Sequence, residues 1–142
     1  MTAPISPRSH LVIVPSYNTG VLLDKTVREI LTYWLPVWVV IDGSTDGSER
    51  YLAPLQAQYP AALRVIKLSQ NVGKGAAILQ TIEMAQAQGF SHVLTMDADQ
   101  QHDPKSIPAF MQHSIHHPDA MILGEPIFDA SAPALRVYGR KL

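Results

Sequence analysis

Acidic and amide side chains are concentrated in residues 96–104, MDADQQHDP, directly after the apolar run HVLT. Asp97 and Asp99 are two residues apart, so in an extended chain their carboxylates would project to the same side. Two such carboxylates repel each other unless a cation lies between them, and hard oxygen ligands suit Mg²⁺ or Mn²⁺. Gln101, again two residues along, adds a neutral oxygen. The spacing predicts that Asp97, Asp99 and Gln101 bind a divalent cation together with a diphosphate.

Turn capping is the alternative role for the aspartates of this stretch. Asp103 followed by Pro104 is typical of a helix N-cap and first helical position, and we interpret Asp103 in that way. His102 differs from the other histidines only by its location and receives no role. The other histidines match no metal-ligand spacing, and a solvated or turn position is expected for each of them: His10, His92, His113, His116 and His117.

Two further polar segments, PSYN and DGSTD, follow apolar runs, and a third, NVGKG, is rich in glycine. Asp42 either accepts a hydrogen bond from a nucleotide base or begins an ordinary turn into the next helix. NVGKG lacks the spacing of a P-loop. Its Lys74 either approaches a phosphate or is a solvated residue at a helix start. Spacing alone leaves both alternatives open for Asp42 and for Lys74.

Apolar runs alternate with helical periodicities along the whole chain. Strands are expected at 10–15, 37–42, 63–69, 91–97 and 120–124. Helices are expected at 20–34, at 44–59 with a capping box from Asp46 to Glu49, at 73–89, and from 104 to about 113. Continuous apolar strands separated by helices indicate one doubly wound α/β domain over residues 1–142, with a mainly parallel sheet and helices on both faces. Ligands of such sheets bind beyond the carboxyl ends of the strands, where the polar segments would meet.

Composition excludes several classes of protein. The chain has 142 residues, 46% of them hydrophobic, which suits one globular domain. Eleven Lys and Arg against 12 Asp and Glu give a net charge of −1, so no overall field attracts nucleic acid. There is no cysteine, which excludes disulfides and thiolate metal sites. The start MTAPISPRSH does not resemble a signal peptide, and no apolar run reaches the ~20 residues of a membrane span, so a cytoplasmic protein is expected.

The segments VIVPSYN, VVIDGSTDGS, NVGKGAAI and MDADQQHDP, in this order and at these intervals, resemble the family 2 glycosyltransferases over roughly residues 10–124. Within that family the chain is most similar to the polyprenyl-phosphate branch, which is like dolichol-phosphate mannose synthase. The resemblance implies the GT-A fold, a nucleotide-diphosphate sugar as donor and Mg²⁺ or Mn²⁺ as cofactor. It also implies a lipid-phosphate acceptor, with the full-length enzyme at the inner face of the membrane.

The resemblance also implies residue roles. Those matching Pro15, Tyr17 and Asp42 surround the base and ribose, and the one matching Lys74 lies near the nucleotide. Those matching Asp97, Asp99 and Gln101 hold the cation and through it the diphosphate, with Ala98 counted among the nucleotide-binding residues.

The chain departs from the family pattern at several positions. Ile41 stands where the family has the first of two aspartates, and Thr19 stands where an acidic residue often follows Pro-x-Tyr-Asn. Gly124, Glu125 and Pro126 replace the Gly-Ser-Arg of the lipid-phosphate branch, which leaves Arg136 or Arg140 as substitutes for that arginine.

Family members continue well past this length, so we expect a donor-binding half without its acceptor part. No catalytic base is identified, although a phosphate acceptor could do without one. One alternative is a sugar nucleotidyltransferase, which would carry an arginine in a Gly-rich loop after the first strand, where this chain has PSYNTG. The other is a catalytically incompetent domain that binds nucleotide or self-associates, because an uncovered sheet edge and apolar surface favour homo-oligomers.

Overall fold

Parallel strands form the centre of the fold in the computed structural model, which describes residues 9–124. Within that range they are β1 (His10–Ser16), β2 (Val37–Asp42), β3 (Leu63–Leu68) and β4 (His92–Thr95). Their order across the sheet is β3-β2-β1-β4, and each neighbouring pair is parallel. The two central strands, β1 and β2, are buried along their whole length, as continuous apolar runs covered on both faces should be. The α/β class and the parallel sheet are confirmed.

Helices cover both faces of this sheet. They are α1 (Leu22–Tyr33), α2 (Ala53–Gln58), α3 (Lys74–Ala87) and α4 (Ile107–His116), with 3₁₀ turns at Ser48–Leu52 and Pro104–Ser106. Successive residues of a strand point to opposite faces. Val12 and Val14 therefore join one apolar core with α1, α2 and α4, whereas Leu11 and Ile13 join a second core with α3.

The direction of the chain reverses beside β1. From β1 the chain builds outward through β2 to β3, and α3 then carries it back so that β4 pairs with the other side of β1. In an open parallel sheet this reversal leaves a crevice at the carboxyl ends of the two strands that flank it. The crevice between the ends of β1 and β4 is therefore the expected ligand position, and the doubly wound topology is confirmed.

The strand expected at 120–124 does not form. Residues 121–124 have no regular structure, and the side chains of Met121 and Leu123 are 84% and 80% exposed. An apolar run becomes a strand only where a neighbouring strand accepts its backbone hydrogen bonds, and local sequence does not reveal that partner. The fourth strand also ends earlier than expected, at Thr95 instead of residue 97.

The helix expected at 44–59 is replaced by a 3₁₀ turn and the short α2. Gly47 adopts a left-handed conformation with φ of +71°, and Pro54 lies in the first turn of α2, so no continuous α-helix runs through this segment. The capping box is also absent: Asp46 accepts from the N–H groups of Ser48 and Gly20, while Glu49 pairs with Lys67 at 3.1 Å.

The histidines His10 and His92 lie at the starts of β1 and β4, at the end of the sheet away from the crevice. Their rings stack with 4.4 Å between centroids, and burial, followed by the neighbouring His92, lowers the pKa of His10. His10 is 4% exposed and its ring bonds to the hydroxyls of Ser9 and Ser114, so the expectation that it is solvated is wrong. Across residues 9–124, the helices are all too short or too polar to cross a membrane.

The glycine after β2 is required by a close approach of two chain segments. Gly43 has a φ of +67°, and a β-carbon there would overlap the backbone of Gln70 and Asn71. We expect Gly43→Ala to lower the free energy of unfolding by about 3 kcal/mol, from left-handed strain plus overpacking. Gly20 has a similar φ of +65° but no atom within 4 Å of a built β-carbon, so Gly20→Ala should cost only about 1 kcal/mol. Urea denaturation measures both, and equal losses would contradict the packing argument.

Candidate functional site

The loop after β1 is tied to the loop after β2 by side chain to backbone hydrogen bonds. Asn18, in a left-handed conformation with φ of 49°, accepts at Oδ1 from the N–H of Thr45 at 2.8 Å and of Asp46 at 3.2 Å. In return, the N–H of Gly20 donates to Asp46 Oδ2 at 3.0 Å. Hydrogen bonding by Ser48, and then by Gly20, lowers the pKa of Asp46, so this acceptor is ionised at neutral pH. The two loops form one fixed rim.

Two residues expected to surround a base and ribose lie at the end of β1 beside this rim. Pro15 is buried within the strand, whereas the Tyr17 side chain is 54% exposed and open to a ligand. The Thr19 hydroxyl hydrogen-bonds to that of Ser16 at 2.7 Å. Tyr17 is therefore the side chain of this loop that is best exposed for stacking.

The Asp42 carboxylate connects the end of β2 to the segment 71–73. Asp42 is 3% exposed, and its Oδ1 accepts from the N–H of Val72 at 2.8 Å. Its Oδ2 accepts from Gly73 N–H at 3.0 Å and from Asn71 Nδ2 at 3.2 Å. The simple turn role is wrong, because these partners come from beyond β3. A carboxylate has about four acceptor positions, so three are used and about one remains.

Lys74 begins α3 immediately after this segment, and its Nζ contacts Oδ1 of Asp97. The second oxygen of Asp97 faces His102 Nε2 at 3.7 Å. Because His102 Nδ1 accepts from the Asp97 N–H at 3.1 Å, the neutral ring carries its proton on Nε2. Both oxygens of Asp97 thus face nitrogen donors, and His102, which had no predicted role, is part of the site.

The segment from Asp97 to Asp99 is a turn that begins after β4 has ended, so the extended-chain argument for their spacing does not apply. Ala98 is buried, and its carbonyl accepts from the Thr26 hydroxyl of α1 at 2.8 Å. Asp99 is exposed, and its Oδ1 accepts from Gln101 N–H at 3.1 Å. Thr26 therefore fixes the backbone between the two aspartates.

Sequence reasoning assigned no role to three residues that position the site: Asn18, Thr26 and Asn71. Thr26 had a detectable signal in the sequence, because it is a polar residue beside the apolar stripe of α1. In the structure it is 1% exposed. Asp103 is confirmed as a cap, because its Oδ1 accepts from Lys105 N–H at 3.0 Å. The positions discussed for a missing arginine all lie outside the described residues: Glu125, Pro126, Arg136 and Arg140.

These contacts join the loops after the strands into a closed series, which we call the loop ring. Asn18 and Gly20 link the loop after β1 to the loop after β2, and Asp42 links the end of β2 to residues 71–73 after β3. Lys74 links that segment to Asp97 after β4. The Ala98 carbonyl then accepts from Thr26 of α1, the helix that follows the loop after β1. A polar cleft of about 280 Å³ opens between α1 and residues 100–104. The loop ring and this cleft form the candidate site.

The donor set of the Asp97–Asp99 turn fits a hard cation that is shared with a ligand. Among residues 9–124, no three histidine or acidic side chains are grouped closely enough to enclose a metal by themselves. Mg²⁺ is commonly held by one or two carboxylates together with substrate phosphates and water. Two aspartates and the Gln101 amide match that pattern.

The family model described as glycosyl transferase family 2 matches residues 11–140. One curated relative, the dodecaprenyl-phosphate galacturonate synthase of Rhizobium johnstonii, is 30% identical over 115 residues, which are 76% of this chain and 33% of the relative. The undecaprenyl-phosphate 4-deoxy-4-formamido-L-arabinose transferase of Salmonella choleraesuis is 32% identical over 117 residues, covering 75% of this chain and 33% of that protein. The chain thus spans about a third of the length of these curated relatives.

Two solved structures share the fold. The mannosyltransferase PcManGT of Pyrobaculum calidifontis, in complex with GDP-Man and Mn²⁺, superposes with a TM-score of 0.55 at 27% identity, over 69% of this chain and 30% of that one. Residues 1–349 of TarS from S. aureus give a TM-score of 0.55 at 19% identity, over 88% of this chain and 41% of that one. The expected GT-A fold is confirmed by this likeness.

Proposed function

Because the chain belongs to glycosyl transferase family 2, we propose that it is the donor-binding part of a metal-dependent glycosyltransferase that uses a nucleotide-diphosphate sugar. The observation that carries this proposal is the turn with Asp97 and Asp99, which follows β4 at the crevice where the strand order reverses, with Lys74 beside it. A carboxylate pair with an adjacent ammonium suits a cation bound to a diphosphate. The Mn²⁺ and GDP-Man bound to PcManGT support the same class of ligand.

In this proposal the site residues divide between the two ends of the donor. Pro15, Tyr17 and the remaining acceptor position of Asp42 would surround the base and ribose, because they lie at the ends of β1 and β2, beside the rim formed by the first two loops. The diphosphate end would be held by the residues around the turn after β4: Lys74, Asp97, Ala98, Asp99 and Gln101.

The chemistry needs charge stabilisation more than a protein nucleophile. Mg²⁺ or Mn²⁺, when bound by Asp97, Asp99 and Gln101, would neutralise charge that develops on the departing nucleoside diphosphate. Thr26 keeps the backbone of the turn in place while that charge develops. The Lys74 ammonium would donate to the diphosphate.

For the acceptor, we propose a polyprenyl phosphate, presented to a cytoplasmic enzyme at the inner face of the membrane. Both curated relatives are named for a polyprenyl phosphate, which is dodecaprenyl phosphate in one name and undecaprenyl phosphate in the other. A phosphate oxygen is already ionised at neutral pH, so this acceptor requires no protein base. Residues 1–142 would be one donor-binding domain, with the acceptor bound by residues outside it.

Calorimetric titration with nucleoside diphosphates, in Mn²⁺ or Mg²⁺ and again in excess EDTA, tests the donor proposal. We expect at least one nucleoside diphosphate to bind with the metal and to lose at least about a hundredfold in affinity without it, which corresponds to about 2.8 kcal/mol. Absence of metal-dependent binding by every nucleotide and nucleotide sugar tried would overturn the proposal.

A further inference from the structure

The Asp97 carboxylate is already paired with a cation of the protein itself, the ammonium group of Lys74. Lys74 Nζ lies at Oδ1, one of the oxygens that a divalent cation would need. The other oxygen faces the protonated Nε2 of His102 at 3.7 Å. The negative charge of Asp97 is therefore compensated by a cation of the protein itself.

We propose that Lys74 is the internal counter-ion of the cation site, which a divalent cation must displace from Asp97 and which then pairs with the incoming diphosphate. This inference rests on the proposed function, because it gives Lys74 one partner before the donor binds and another afterwards. It differs from a simple phosphate-binding role, because it makes Lys74 a competitor of the free metal ion.

Electrostatic repulsion favours the displacement. An ammonium group and a divalent cation on the same carboxylate oxygen would lie within about 4 Å of each other, where like charges repel appreciably even near a solvated surface. This repulsion disfavours a state in which Asp97 keeps Lys74 and also binds the metal at Oδ1. Metal binding therefore includes the loss of the Lys74 contact.

The structure allows Lys74 to move without disturbing the fold. Its side chain is 59% exposed, and its ammonium sits on a flexible four-carbon stem. The backbone before it is fixed, because Asp42 binds the N–H groups of Val72 and Gly73. The released ammonium would thus stay within reach of the site while its partner changes.

The position of Lys74 at the start of α3 gives it a need for an anion in both states. The first turn of α3 has no acidic residue, and a positive charge at a helix N-terminus is unfavourable. Asp97 offsets this charge in the ligand-free protein, and a diphosphate would offset it in the complex. A metal ion that binds without a diphosphate takes Asp97 away from Lys74 and supplies no anion in its place. Lys74 should therefore weaken the binding of free metal and strengthen the binding of the metal–diphosphate complex.

The test is a titration of Mn²⁺ alone into the wild type and into Lys74→Met. Binding is measured as the loss of the electron paramagnetic resonance signal of free Mn²⁺. We expect Lys74→Met to bind Mn²⁺ alone about fivefold more tightly or better, yet to bind nucleoside diphosphate with Mn²⁺ about tenfold more weakly. Lys74→Arg retains the charge and should bind Mn²⁺ alone as weakly as the wild type. Lys67→Met is the matched control, since Lys67 pairs with Glu49 at 3.1 Å and should leave both affinities unchanged.

Opposite shifts of the two affinities would support the inference. It would be overturned if Lys74→Met, folded as judged by its thermal midpoint, bound Mn²⁺ alone no better than the wild type, or showed no measurable binding of it. Unchanged diphosphate affinity in Lys74→Met would also overturn it. Failure of the proposed function would look different: the wild type itself would show no metal-dependent nucleotide binding.

Discussion

Asp99→Asn is expected to weaken metal-dependent nucleotide binding by about a hundredfold or more, since loss of residues that merely orient metal ligands costs 10–100-fold and Asp99 would be a direct ligand. Asparagine keeps an oxygen at the position of Oδ1, so the hydrogen bond from Gln101 N–H can remain and the turn should be preserved. Asp99 is exposed, so the substitution should leave the fold intact. Calorimetry with the best nucleoside diphosphate in Mn²⁺ measures the effect.

Asp103→Asn is the control for this variant, because it makes the same chemical change four residues along. Asp103 caps the following 3₁₀ turn through Lys105 N–H, and asparagine is an equally good cap. We expect Asp103→Asn to bind nucleotide like the wild type. Similar losses in the two variants would indicate that general negative charge matters, not a ligand position at Asp99.

Asp42→Ala is expected to have the largest effect on stability, a loss of about 4.5 kcal/mol in the free energy of unfolding. The substitution removes three hydrogen bonds to one nearly buried carboxylate, and each such bond is worth about 1.5 kcal/mol or more. Release of residues 71–73 should also let Lys74 drift from the site and reduce nucleotide affinity. Urea denaturation and calorimetry on the same preparation measure the two effects.

Asp24→Ala provides the comparison for an exposed aspartate. Asp24 pairs with Arg28 at 3.0 Å one helical turn along α1, and a surface pair of this kind contributes about 0.5 kcal/mol or less. If Asp42 serves only to contact a base, Asp42→Ala would reduce nucleotide binding and leave stability near that of Asp24→Ala. That result would contradict the structural role assigned to Asp42.

The sheet could be predicted from sequence because its central strands carry their signal locally. Residues 37–42 are an unbroken apolar run up to Asp42, and β2 has the same bounds. The segment 120–124 shows the limit: it has the same apolar character, but a strand requires a partner that the segment itself does not specify. The prediction of one continuous helix at 44–59 was wrong for a local reason. Gly47 in a left-handed conformation and the proline in the first turn of α2 outweigh the helical pattern of this segment.

The location of the site was predictable, but its contacts were not. The strand order places every polar segment at one edge, which topology alone requires. The bonds that organise this edge join residues far apart in sequence: Asn18 with Thr45 across 27 positions, Asp42 with Val72 across 30, and Thr26 with Ala98 across 72. Such pairings follow from packing, which has no local periodicity to detect.

The loop ring bears on the entropy of binding. Three of its links are hydrogen bonds that a donor need not break, and the fourth, between Lys74 and Asp97, would be replaced by a cation and diphosphate bound to the same two groups. These contacts hold the loops in one arrangement, so little backbone freedom would be left to lose on binding of the proposed donor. Affinity in such a site is set by the exchange of one ionic partner for another, with little of it spent on ordering the chain.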